Sequence, residues 1–321
     1  MEDKSLDPDI NKFLPQVSVV IPIYNGEKDV RELIDCLQAQ IYPSELVEYL
    51  LVDNNSSDRT LALISEIAAQ SKITICPVSE KLIQSSYAAR NRGIRQATGE
   101  IIAFTDADCR PQPQWLSQLI APLENQEVVM VAGEIMALPG DSFLERYADS
   151  QETLSQKHTL AHKFYPYGQT ANLAIRRFAL EKVGLFRPYL TTGGDADICW
   201  RIQQANLGRL EFAPLAITQH RHRTTLEELA SQWQRYGRSN RYLHELHGVE
   251  LMREISLKEC GYRLMRWFLK ELPQGSIHLV KGKGTMVNLL NTPIGLYTAR
   301  KRYLGQTKAR LPEKAKEIEW L

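Results

Sequence analysis

Cysteine is scarce and unpatterned in this 321-residue sequence. Cys36, Cys76, Cys109, Cys199 and Cys260 are odd in number and lack metal-ligand spacing. This argues against a disulfide scaffold or a cysteine zinc site and fits a reducing compartment. No apolar run approaches the ~18–20 residues a bilayer-spanning helix needs. The polar, acidic residues 1–12 do not form a secretory signal, and there is no internal repeat or low-complexity tract. A cytoplasmic protein is therefore expected. Net charge is close to balanced at +1, but it is unevenly placed: residues 253–321 hold fourteen Lys/Arg against six Asp/Glu, or +8, which leaves −7 on residues 1–252. A basic tail on an acidic body suits either an anionic membrane surface, peripherally bound from the cytoplasmic side, or a plain solvated helical extension. Nucleic acid is not expected as a partner. With 43% hydrophobic and 24% charged residues, the chain can bury a large core.

The first half alternates strand and helix signals. Val17–Ile21, Tyr49–Val52, Ile73–Ile75, Ile101–Phe104 and Val128–Val131 read as short buried strands. Amphipathic segments fall between them: Val30, Leu33, Ile34, Leu37 and Ile41, then Leu61, Ile64, Ile67 and Ala68, and later Trp115, Leu116, Leu119, Ile120 and Leu123. A polar helix running toward Gly99 separates the third and fourth strands. Continuous apolar strands between helices predict an α/β fold with a mostly parallel sheet covered on both faces. After Pro139 the pattern loosens. Residues 142–162 read as a polar helix, Asn172–Ile175 as a strand, Phe178–Val183 as a helical turn and Leu226–Leu243 as an amphipathic helix; residues 273–284 read as loop between terminal helices.

Ligands of open α/β sheets bind at the carboxyl ends of strands. Three predicted strands end on polar residues there: Pro22–Glu27, Asp53–Asp58 and Thr105–Asp108. Asp-x-Asp spacing alone says little, since thirteen aspartates give such pairs by chance, and the sequence has three: Asp7/Asp9, Asp106/Asp108 and Asp195/Asp197. Asp7/Asp9 lies in a polar N-terminal arm and is set aside. Asp106/Asp108 follows an apolar strand, where two carboxylates can approach one hard cation; the bland alternative is a turn stabilised by local hydrogen bonds.

Pro22-x-Tyr24-Asn25-x-Glu27, Val52-Asp53, Ala89-Arg90-Asn91-x-Gly93, Phe104-x-Asp106-Ala107-Asp108 and Gly194-Asp195-x-Asp197-Ile198-x-x-Arg201 together resemble, in order and spacing, the motifs of family-2 glycosyltransferases. The resemblance covers Val17 to Arg223. It implies the GT-A fold, with a catalytic domain over residues 15–225 (nucleotide-binding half about 15–135, acceptor half about 136–225). An N-terminal arm over 1–14 and a helical basic region over 226–321 flank it. It also implies inverting transfer from a nucleotide-sugar donor, with uridine the expected base, to a carbohydrate or lipid-linked acceptor, as in polysaccharide or glycolipid synthesis. Pro22, Tyr24, Asn25 and Glu27 are expected to line the nucleoside pocket, Asp53 to bond the base, Arg90 to approach the nucleotide and Asp106 to reach ribose or metal. Asp108 is expected to hold the divalent cation, Mn²⁺ or Mg²⁺, and Asp195 to be the catalytic base. Asp197 is the second choice for base, otherwise a helix N-cap or first-turn acid. The family's Glu before the base is replaced by Gly194, and the Gly193–Gly194 pair is expected to let the backbone approach a bound sugar.

His220 and His222 follow a strand-like run at alternating positions, so both could face the site, His220 first as a metal ligand. Gln232-x-x-Arg235-Tyr236 is similar to the Gln-x-x-Arg-Trp motif of processive synthases but reads equally as the polar side of a helix. Leu257, Leu264, Met265, Phe268 and Leu272 share one helical side and Arg263, Arg266 and Lys270 another, a pattern suited to an anionic membrane. A haloacid-dehalogenase-type phosphatase also carries Asp-x-Asp after a strand, but there it follows the first strand, and Cys109 stands where Thr or Val belongs. A nucleotidyltransferase needs a glycine-rich basic loop after its first strand, which Pro22–Asp29 does not supply. A non-catalytic nucleotide-sugar-binding module is the remaining alternative.

Overall fold

The computed structural model describes residues 13–283 and 285–321. In chain order it contains β1 (Val17–Ile23), α1 (Val30–Gln38), β2 (Val47–Asp53), α2 (Thr60–Ala68), β3 (Thr74–Ser79), α3 (Ser86–Gln96) and β4 (Ile101–Thr105). There follow β5 (Cys109–Pro111), α4 (Trp115–Ile120), β6 (Val128–Ala137), α5 (Phe143–Ser150), α6 (Lys157–Leu160), β7 (Asn172–Arg176), α7 (Arg177–Val183), α8 (Gly194–Gln204) and β8 (Arg209–His220). The chain closes with α9 (Leu226–His247), α10 (Leu257–Arg266), α11 (Leu272–Val280) and α12 (Met286–Lys308).

The strands form one eight-stranded sheet in the order β3-β2-β1-β4-β7-β6-β8-β5. The block β3-β2-β1-β4 is wholly parallel, whereas β7 runs antiparallel to both β4 and β6, and β5 antiparallel to β8. Successive residues of the parallel strands feed opposite faces. Val19, Ile21, Tyr49, Leu51, Ile101 and Ala103 pack with α1, α2 and α4. Val20, Leu50, Val52, Ile102 and Phe104 pack on the other side with α3, α7 and α8. Both faces are therefore covered, the condition that makes these strands read as unbroken apolar runs. The chain leaves β1 toward β2 and β3, then returns to place β4 on the other side of β1. This is a topological switch point, which opens a crevice at the carboxyl ends of β1, β2 and β4.

The predicted helix over 142–162 is broken: α5 and α6 are separate, and Glu152 between them takes a left-handed φ of 48°. The loop predicted at Pro273–Gly284 is instead mostly helix, since α11 runs from Leu272 to Val280. A π turn at Trp267–Glu271 precedes it, where Pro273 has no N–H to donate and the helical ladder must adjust. Asp7, Asp9 and most of the N-terminal arm lie outside the described residues, while Phe13 and Leu14 at its end pack on the first core cluster. In the C-terminal region α12 crosses α9 closely. A Cβ on Gly237 would run into the Arg302 carbonyl, and one on Gly305 into the Gln234 carbonyl.

Asp197 does not cap α8. The cap is Gly193, left-handed at φ 84°, and Asp197 lies in the first turn, fully buried. Its Oδ1 accepts from Arg187 Nε at 3.0 Å and His247 Nε2 at 3.0 Å, and its Oδ2 from Arg201 Nε at 3.0 Å. Burial alone would raise this carboxyl, but His247, Arg201 and Arg187 outweigh it and hold it down at about 2. Because the folded value lies below the ordinary one, this contribution to stability is complete above pH ~4 and is lost as pH falls through about 2. Asp197→Asn is expected to cost ~3–5 kcal/mol near neutrality, since it leaves buried cations unpaired. In chemical denaturation across pH, the gap between wild type and variant should narrow between pH ~4 and ~2; a gap that stays constant would refute the assignment.

Candidate active site

The loops after β1 and β2 are laced to each other. Asn25, at a left-handed φ of 49°, donates its N–H to Ser56 Oγ at 2.9 Å and accepts at Oδ1 from the Ser57 N–H at 2.8 Å. Glu27 Oε2 accepts from the Arg59 N–H at 3.2 Å. Asp53 is buried at the end of β2 and accepts from the Ser56 N–H at 3.3 Å. Three of the residues expected around a nucleoside thus spend hydrogen bonds on shaping the crevice itself, while the Tyr24 ring stands exposed at its edge.

The Asp106–Asp108 turn links this crevice to a cavity of about 760 Å³ whose wall includes Arg90, Asp106, Asp195 and His220. Arg90, almost fully buried, donates from Nη2 to Asp106 Oδ1 at 2.5 Å. Burial in the cleft pushes the Asp106 carboxyl up while Arg90 pulls it down. Asp106 is therefore held by a guanidinium and lies outside the group of donor atoms formed by Asp108, Cys109 and His220, which fall within 4.8 Å of one another. Cys109 contributes a thiol that burial pushes well above its ordinary value, which leaves the Asp108 carboxylate and the His220 imidazole as the available donors. His220 Nδ1 donates to the Arg221 carbonyl at 2.8 Å, so in the neutral ring the lone pair sits on Nε2, 3.3 Å from Asp108 Oδ1. A carboxylate oxygen and an imidazole lone pair facing each other at that distance suit a shared Mn²⁺ or Mg²⁺, with the second ring nitrogen fixing the tautomer. The alternation expected to bring His222 to the same place fails because β8 ends at His220. His222 is buried, with the α5 carboxylates Glu145 and Asp149 acting on it.

Asp195 lies in the first turn of α8, on the cavity wall, and accepts from Thr170 Oγ1 at 3.0 Å. The two glycines before it have distinct local roles, and Gly193 also lines the cavity. Gly193 supplies the positive φ, and Gly194 leaves room for the Tyr87 ring, whose atoms a Cβ there would meet at 2.7 Å. Tyr87 Oη accepts from the Gly194 N–H at 2.9 Å, and its ring stacks on Phe186 at 5.6 Å. Tyr87 and Thr170 thus position the base candidate, and sequence reading missed both. Tyr87 could have been noticed from its place one helical turn before Arg90; nothing local marks Thr170. Asp197 is buried in its own ion network and off the cavity wall.

Known proteins share the sequence pattern and the fold of this chain. The sequence profile of glycosyl transferase family 2 matches residues 18–184. The glycosyltransferase AglE of Haloferax volcanii is 34% identical over 248 residues, 76% of this chain and 79% of its own length. The pre-mycofactocin glycosyltransferase of Mycobacterium tuberculosis is 28% identical over 81% of this chain, which spans only 53% of that relative. Among solved structures, a mannosyltransferase from Pyrobaculum calidifontis in complex with GDP-Man and Mn²⁺ superposes with a TM-score of 0.65, covering 92% of this chain and 87% of its own, at 18% identity. The fold is GT-A, and the chain belongs to glycosyl transferase family 2.

Proposed function

We propose that the protein moves a sugar, with inversion, from a nucleoside diphosphate donor to an acceptor hydroxyl in polysaccharide or glycolipid synthesis. The observation that carries this reading is the placing of the Asp108–His220 donor pair beside a cavity whose wall holds Asp195. Asp108 and His220 would hold a divalent cation, which when bound stabilises the charge that grows on the diphosphate leaving group. Arg90 keeps Asp106 in place beside them. Asp195 takes the proton of the acceptor hydroxyl as its oxygen bonds to the anomeric carbon, while the sugar–phosphate bond breaks and its electron pair leaves with the nucleotide. The catalytic unit is proposed to span residues 15–225. Uridine is proposed as the base on family resemblance, and the GDP-Man bound by the Pyrobaculum mannosyltransferase makes guanosine the control. A haloacid-dehalogenase-type phosphatase carries its nucleophilic aspartate after the first strand, whereas Asp106 and Asp108 follow β4.

Among the described residues no helix is long and apolar enough to cross a membrane, yet α10, the π turn and α11 expose apolar side chains freely. Leu257 is 93%, Phe268 62% and Leu269 67% exposed, beside Met265 and Val280. With Lys258, Arg263, Arg266 and Lys270 on the adjoining side of α10 and the π turn, this surface is proposed to rest on an anionic lipid surface at the cytoplasmic side.

Asp195→Asn is expected to lower turnover ~10²–10⁴-fold while donor affinity by calorimetry persists. Asp108→Asn should weaken nucleotide binding in Mn²⁺ but not in EDTA. Full transfer in EDTA, or a product that retains the donor's anomeric configuration by NMR, would overturn the corresponding part of the reading.

Vesicles containing anionic phospholipid should sediment the protein at low salt and release it as salt screens the charges. Leu269→Glu combined with Phe268→Glu should abolish sedimentation without affecting donor binding. Wild-type protein left in the supernatant at low salt would refute lipid docking.

A further inference from the structure

The part of the cavity wall built by α9 and α12 is cationic without visible compensation. Arg235 from α9, Arg302 from α12 and Arg223 from the turn before α9 all line it, whereas its carboxylates are Asp195 and Asp106, the latter already held by Arg90. Among the described residues no carboxylate lies at ion-pair distance from Arg223, Arg235 or Arg302. Nearby arginines behave differently: Arg221 sits 3.6 Å from Asp29, and Arg241 3.9 Å from Glu245.

Arg302 is the most constrained of the three. Its Nη2 donates to Asn240 Oδ1 at 3.1 Å, its guanidinium stands 5.8 Å from the Trp233 ring centroid, and its Nε has no acceptor. Trp233 Nε1, on the facing helix, is likewise buried without an acceptor. The close crossing at Gly237 and Gly305 fixes the backbone that carries Arg302, so the side chain cannot escape by a shift of its helix. A guanidinium largely withdrawn from water and given only an amide oxygen is costly to keep. Two orphaned donors on facing helices also call for an explanation beyond packing. An oxyanion brought in by a ligand supplies one, because arginine binds phosphate with charge-assisted, often bidentate hydrogen bonds.

We propose that the acceptor carries a phosphate group and that Arg302, with Arg223 and Arg235, receives it in this chamber. The inference rests on the reading of the cavity as the place where donor and acceptor meet. It assigns the C-terminal region, beyond residues 18–184 matched by the family profile, a direct part in substrate selection. A phosphate here could instead be the donor's own, so the test separates the two.

Inorganic phosphate is titrated calorimetrically into the full-length protein already saturated with UDP or GDP and Mg²⁺. Phosphate is expected to bind to this nucleotide-loaded protein. Arg302→Gln should weaken it about tenfold or more, the size of one lost charge-assisted contact, and Arg302→Lys less. Nucleotide affinity should stay within about twofold. Should Arg302→Gln fail to fold by near-UV circular dichroism, Arg223→Gln decides, with the same expected weakening. Absence of phosphate binding to the loaded wild type overturns the proposal. So does a variant that loses nucleotide but keeps phosphate, which would give Arg302 to the donor. Because nucleotide binding is measured in the same titrations, failure of the anion site leaves the donor reading intact, and failure of the donor reading shows separately.

Discussion

The arrangement depends on one buried carboxylate. Asp197 has no access to water and must be neutralised from within, and the groups that do so come from distant parts of the chain: Arg187 from the segment before α8, Arg201 one turn along, and His247 at the end of α9. Arg187 also donates to the Lys316 carbonyl, which brings the C-terminal tail onto the same knot. The interaction fixes the first turn of α8, where Asp195 sits two residues earlier, and it fixes α9 relative to it. A buried charge network of this kind is a poor source of net stability compared with apolar packing, but it tolerates few alternative geometries. A side chain that must hold one place on the cavity wall, as Asp195 does, benefits from that intolerance.

The parallel half of the sheet was readable because its signals are local. Each apolar run from Val17 to Phe104 became a strand, and the polar residues that follow β1, β2 and β4 came together because a parallel sheet brings its carboxyl ends to one edge. The Asp106/Asp108 pair, expected from its spacing to approach one cation together, is instead divided: Arg90 holds Asp106, while His220 faces Asp108. What could not be read was set by partners far away in sequence. Asp197 looks like a first-turn acid until His247 arrives fifty residues later, and His222 alternates with His220 on paper while the strand stops between them. The break near Glu152 and the helix through Pro273 also departed from the local reading.

The crevice and the cavity beside it are built on different principles. The crevice comes from strand ends and loops tied by side-chain-to-backbone hydrogen bonds, as the lacing of Asn25 and Glu27 to residues 57 and 59 shows. The helical wall of the cavity comes from α8, α9 and α12, held by close crossing and buried ion pairs. Loops of the first kind shape a generic crevice for a ligand common to the fold. Helix faces of the second kind can change their side chains without disturbing the sheet, which suits a wall that must be specific to one acceptor.

The contact between Gly194 and Tyr87 has an evolutionary reading. The tyrosine ring fills the volume where a side chain at position 194 would stand, and its hydroxyl takes over the bond to the Gly194 N–H. A chain with glutamate at 194, as the family motif usually has, cannot keep this ring where it is. Positions 87 and 194 should therefore change together among relatives, with a bulky aromatic at one accompanying glycine at the other, and their covariation would mark off a subgroup that positions the aspartate at 195 from α3.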